Sequence, residues 1–297
     1  MAGIGHRVAW GIAAFALLCG ASMLSATKAP AASEKIKPQL VTVDDYFRLG
    51  DVGDPRISPG GLWIAYTVTT RDLEEDASSS RIWMVPAGGG EAIALTAEDE
   101  SSSSPRWSPD GKYLAFLSKR GEGKTQVWTL FRSGGEAQQL TDTAQGIQGF
   151  EWSPDGARLL LVMRDPKPEE LEAKEAEAKG EPYEAKTKPP WVVTRQQFKM
   201  DYVGYLDSRR THLYVFDLAT REIKQITSGD FDDSEPAWSP DGSRVAFVSN
   251  RTEEPDDNYD ANIWVVRSDA DPDTEPLQIT TNPGPDGSPS WSRDGTR

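Results

Sequence analysis

Apolar residues in this chain come in short blocks parted by polar turns, and one phrase recurs between them. Trp107, Trp152, Trp238 and Trp291 each open Trp-Ser-x-Asp-Gly, and a degenerate copy places Ile57 in the tryptophan position. Behind three of these turns run "KYLAFLS", "ARLLLVM" and "SRVAFVS". A strand solvated on one face alternates apolar and polar residues, so these runs predict strands covered on both faces. "QVWTLF", "HLYVFDL" and "NIWVVRS" predict a third strand, and "AQQLT", "IKQIT" and "LQIT" a fourth. The turn follows from local chemistry: proline presets φ, aspartate tolerates the next position, and glycine removes the Cβ clash.

The spacing is regular on one side only. Leu95-Thr96, Leu140-Thr141, Ile226-Thr227 and Ile279-Thr280 each place their threonine 11 residues before the next motif tryptophan. From tryptophan to the following threonine the distance is 34, 75 and 42 residues. Four short strands in a repeat of this length predict an all-β fold, a β-propeller of four-stranded antiparallel blades. A β-sandwich has no reason to repeat a turn in register. Blades are expected near residues 54, 107, 152 and 238, with a truncated blade from 291, the propeller occupying 38–297. A propeller that stops after one strand and a turn of a blade leaves apolar faces and a sheet edge open. The ring is therefore expected to be incomplete here and to continue in a longer polypeptide.

Composition narrows the function classes. The 297 residues carry a net charge of −15, which argues against a nucleic-acid backbone or an anionic membrane surface as partner. The start, "MAGIGHR" followed by "VAWGIAAFALLC", reads as a signal peptide over 1–32, with Ala26 or Ala31 closing a small-residue cleavage site. An exported protein, periplasmic or secreted, is expected, touching a membrane only through that segment if it stays uncleaved. Cys19 is the one cysteine and lies within the signal, so the mature chain is expected to hold no disulfide.

"PRWSPDGKYLAFLSKR" and "PAWSPDGSRVAFVSNR" resemble the blades of TolB-like proteins and of prolyl-oligopeptidase-family serine peptidases. "LVTVDDYFRLGDVGDPRISPGGLWIAYTV" enters the first blade directly, without the α/β domain that precedes a TolB propeller. "WVVTRQQFKMDYVGYLDSRRTHLYVFDL" is similar to a segment of the acylaminoacyl-peptidase and dipeptidyl-peptidase-like branch. The resemblance implies a propeller that admits peptides to an α/β-hydrolase domain with a Ser, Asp and His triad, expected beyond residue 297. That domain and peptide substrates are the implied partners, and no cofactor or metal is implied. No serine of this chain stands in Gly-x-Ser-x-Gly, and His6 and His212 are its only histidines. His6 falls in the signal, and His212 reads as an ordinary strand residue. The alternative is a non-enzymatic TolB-like binding propeller of the envelope. A polysaccharide-directed propeller is a third reading, without paired carboxylates to support it.

The long Trp152–Thr227 interval predicts an insertion over 165–209 between the second and third strands of the third blade. Its first half, "DPKPEELEAKEAEAKGEPYEAKTKPP", predicts a solvated helix or loop. Its second half places Trp191, Phe198, Tyr202 and Tyr205 among Arg195, Lys199, Asp201, Arg209 and Arg210. Loops on a rigid scaffold collect binding groups, so Arg195, Lys199, Tyr202, Tyr205 and Arg209 are the candidate substrate-binding residues. The competing expectation is that the insertion packs over its own blade. "SKRGEGKT" lacks the first glycine of a phosphate loop, "AGGGEA" is a hairpin turn, and "DADPDTEP" lacks the glycine and final glutamate of a calcium loop.

Overall fold

The structure, a computed structural model, describes residues 40–297 except 122, 185, 186, 188, 189, 191, 194 and 202. The expected signal segment, with His6 and Cys19, lies outside the described residues, as do Trp191 and Tyr202. After helix α1 (Val43–Arg48), blade 1 comprises β1 (Asp51–Ile57), β2 (Trp63–Asp72), β3 (Ala77–Pro86) and β4 (Ile93–Ala94). Blade 2 comprises β5 (Ser102–Trp107), β6 (Tyr113–Ser118), β7 (Gln126–Phe131) and β8 (Gln138–Gln139). Blade 3 opens with β9 (Gly149–Trp152) and β10 (Arg158–Arg164). The chain then forms α2 (Pro168–Lys179) and a hairpin of β11 (Lys199–Met200) and β12 (Gly204–Tyr205). It returns to blade 3 as β13 (Thr211–Asp217) and β14 (Ile223–Gln225). Blade 4 comprises β15 (Asp233–Trp238), β16 (Arg244–Ser249), β17 (Asn262–Arg267) and β18 (Leu277–Gln278). Each blade is a four-stranded antiparallel meander, and the blades do not close a ring.

The repeated residues do the same work in every blade. Each motif position ends a first strand and pairs with the residue seven further on: Ile57 with Ile64, Trp107 with Leu114, Trp152 with Leu159, Trp238 with Val245. Blades thus begin a few residues before the turn that advertises them. The motif serine accepts the N–H that opens the second strand, at 3.0 Å for Ser108 and 2.9 Å for Ser153 and Ser239. It donates to the motif aspartate at 2.6, 2.5 and 2.6 Å. The serine hydroxyls come first among the causes that hold the carboxyls of Asp110, Asp241 and Asp294 down at about 2. The spaced threonine closes the blade: Thr96, Thr141, Thr227 and Thr280 Oγ1 accept the N–H of Ile82, Val127, Leu213 and Ile263 at 2.9–3.0 Å.

Blade-to-blade joints use the same motif. The indole N–H of Trp107 donates to the carbonyl of Arg56 at 3.0 Å, Trp152 to Arg106 at 3.2 Å, Trp238 to Glu151 at 3.4 Å and Trp291 to Ala237 at 3.0 Å. Every acceptor immediately precedes the motif position of the blade before. Gly111, Gly156 and Gly242 adopt φ of +68°, +70° and +66°, and a Cβ there would stand 3.5–3.7 Å from Pro59, Pro109 and Pro154 of the preceding turn. The glycine therefore serves both the turn and the close approach.

The core lies between blades rather than within them. Ala65, Ile82 and Met84 of blade 1 pack with Trp107, Leu114 and Phe116 of blade 2. Val127 of blade 2 packs with Leu159 and Leu161 of blade 3, whereas Leu160 turns the other way to Val245 and Phe247 of blade 4. That two-sided burial is why the second strands lack polar alternation.

Candidate functional site

Strand order assigns each loop to a rim. In an antiparallel meander, first-to-second and third-to-fourth loops share one end, and second-to-third loops share the other with the links to the next blade. All the Ser-x-Asp-Gly turns fall on one rim. The described residues between β10 and β13 fall on the opposite rim, with those of 119–125, 140–148, 226–232 and 250–261. First strands of successive blades lie against each other, β1 on β5, β5 on β9 and β9 on β15, so they form the inner wall.

That wall carries a chain of ion pairs. Arg106 Nε meets Glu151 Oε1 of blade 3 at 2.7 Å, and its Nη1 meets Asp54 Oδ2 of blade 1 at 2.7 Å. Asp54 also accepts Arg56 Nε at 2.8 Å. Burial works against the Arg106 charge, but Glu151 and Asp54 outweigh it and hold the guanidinium pKa above its ordinary value. Asp54 and Glu235 each stand three residues before a motif position, with φ of +48°, beside a break in pairing register. These bulges re-aim the first strand as it reaches the wall. A cavity of about 290 Å³ opens there, lined by Arg106, Gln148, Glu151, Ser234 and Glu235.

The insertion-bearing rim is held by a second network. Arg195 donates to Asp256 through Nε at 3.0 Å and Nη2 at 2.5 Å, and these bonds lead the causes that keep the Asp256 carboxyl below the usual carboxylate range. Arg210 meets Asp230 at 2.6 Å, Asp232 at 3.1 Å and Asp256 at 3.5 Å. Arg209 is engaged by Asp207 at 3.0 Å and the Asp165 carbonyl at 3.1 Å, and Arg164 also reaches Asp207 at 2.9 Å. Deeper, the wholly buried Asp233 accepts Arg251 Nη2 at 2.9 Å and faces His212 Nδ1 at 3.3 Å. The Arg251 guanidinium sits over the rings of Phe231, Phe247 and Trp264 at 5.1, 5.4 and 5.6 Å.

Of the sequence candidates, the structure brings Lys199 and Tyr205 together on the β11–β12 hairpin, the ammonium 5.9 Å from the ring. Phe198 stacks on Tyr205 at 6.5 Å, and all three side chains are exposed. Arg195 and Arg209 are occupied by carboxylates of their own rim, and Tyr202 lies outside the described residues. Asp54, Arg106, Glu151 and Glu235 were absent from the candidates. Their signal was positional: each stands one or three residues before a motif position, where the first strand meets the wall. His212 faces two carboxylates, Asp233 at 3.3 Å from Nδ1 and Asp165 at 3.8 Å from Nε2. Among the described residues, no group of three or more histidine, cysteine or acidic side chains is arranged to hold a metal.

Comparison with known proteins gives these observations their context. The family described as the Tricorn protease N-terminal beta propeller domain matches residues 77–267. The "Uncharacterized peptidase YuxL" of Bacillus subtilis is 32% identical over 228 residues, which cover 77% of this chain and 34% of that protein. This chain thus spans about a third of the length of that relative. The Pyrococcus horikoshii acylaminoacyl peptidase superposes with a TM-score of 0.57 at 20% identity, over 79% of this chain and 33% of its own. A protein assigned as TolB from Agrobacterium tumefaciens superposes at 0.50 and 20% identity, over 82% of this chain and 72% of its own. At such identities both likenesses speak to the fold alone. The family match covers most of the blades, and this chain belongs to the Tricorn protease N-terminal beta propeller domain family.

Proposed function

We propose that this chain is the substrate-gating propeller of an exported serine peptidase, and that hydrolysis is carried out by residues outside 40–297. The observation that carries the reading is the match to a peptidase of which the aligned residues cover only 34%, together with the propeller-family match over 77–267. Two features support it. The sequence has no Gly-x-Ser-x-Gly, so the activated serine such chemistry requires is not in these residues. The inner wall carries the paired charges of Asp54, Arg106 and Glu151, a polar surface that suits an extended peptide backbone. Peptides are the substrates under this reading, and a hydrolase domain is the propeller's partner. Export rests on the apolar segment after "MAGIGHR".

The test uses the natural polypeptide and one cleavable sequence in two settings, as a free peptide and as a loop of a stable folded protein. Gating predicts cleavage of the free peptide and none of the loop. Comparable rates for both would contradict it.

A further inference from the structure

The described residues between β10 and β13 are held in two different ways. The later part is anchored by nearly buried guanidinium groups, Arg195 on Asp256 and Arg210 on three aspartates. Helix α2 buries none of its residues. Its chain leaves from blade 3, where Arg209 stands 3.9 Å from Glu170, yet its shorter ion pairs to a blade are with blade 2. Lys124, in the loop after β6, meets Glu170 at 2.7 Å, and Asp142, just after β8, meets Lys174 at 2.6 Å. Between helix and blade lies a groove of about 510 Å³, lined by Gln126, Gln139, Thr143, Ala144, Ala173 and Lys174 among others.

We propose that α2 is an ion-latched strap that covers this groove and lets go when salt or a competing charged ligand screens the pairs that hold it. The inference stands apart from the gating reading, since it concerns the outer part of blade 2 and needs no hydrolase domain. Exposed ion pairs are individually weak and are screened within a Debye length of about 8–10 Å at physiological salt. Pro168 at the start and Gly180 at the end, with φ of +69°, set the helix limits but add no tertiary anchor. A helix this short is marginal by itself, so α2 should lose amide protection once it leaves the blade. Release also uncovers the groove.

Hydrogen exchange of the 297-residue chain at about 20 mM and about 500 mM sodium chloride tests the latch. Exchange in 168–179 should be about fivefold faster at high salt, with 211–217 and 244–249 unchanged. Asp142→Lys should produce the fast pattern at low salt, and Asp142→Lys with Lys174→Glu should restore protection by re-forming the pair in reverse. Salt-independent protection of 168–179, or no recovery in the reversed pair, overturns the latch. The cover is tested by alkylation of Ala144→Cys in a Cys19→Ser background. Its rate should rise in step with exchange of the helix, and a rate indifferent to salt overturns the cover.

Discussion

Trp107→Ala should lower the unfolding free energy by about 3–5 kcal/mol, the range for removing a large buried aromatic side chain. The residue is 8% exposed and packs between blades 1 and 2 against Ala65, Ile82, Met84, Leu114 and Phe116. Its loss removes apolar contact from both sheets and the indole hydrogen bond to Arg56. Trp107→Phe separates the two effects. It keeps a ring in the joint and loses the bond, for about 1 kcal/mol. Urea denaturation followed by far-ultraviolet circular dichroism measures both variants. If the alanine variant unfolds at the wild-type midpoint, the joint between these blades is not where stability resides.

Asp233→Ala should be comparably damaging for a different reason. The carboxylate is fully buried and neutralises Arg251, whose side chain has little access to water. Removing one partner of a buried pair leaves an uncompensated charge, at a cost of about 3–5 kcal/mol. Arg251 also lies over three aromatic rings, so methionine can occupy its place against them. Asp233→Ala with Arg251→Met should therefore recover most of the loss. Recovery would show that the penalty is the stranded charge; a double variant as unstable as the single would place it in packing around Asp233.

The elements easiest to read in the sequence are those whose cause is local. A serine that caps the next strand five residues on, an aspartate two residues away and a threonine that closes its own blade all leave a fixed spacing. The unbroken apolar runs announced cover on both faces because Leu159 and Leu160 face different neighbours. The rim was harder. Arg195 reads in sequence as a cation available to a peptide carboxylate, but its partner Asp256 is 61 residues on, in a loop with no repeated spacing. The inner wall was hidden differently. The residue before the motif position is Arg56, Arg106, Glu151 or Ala237, so the repeat conserves the place and not the chemistry. Only the packing of first strand on first strand shows that Arg106 reaches both Asp54 and Glu151.

Labelling with a fluorophosphonate probe, read by mass spectrometry, tests most directly whether these blades serve a serine peptidase whose chemistry lies elsewhere. The 297-residue chain should take up no probe, and the natural polypeptide should take up one, on a serine within Gly-x-Ser-x-Gly outside residues 40–297. A stoichiometric adduct on any serine of the blades, or a natural polypeptide that neither labels nor hydrolyses peptides, would contradict the account.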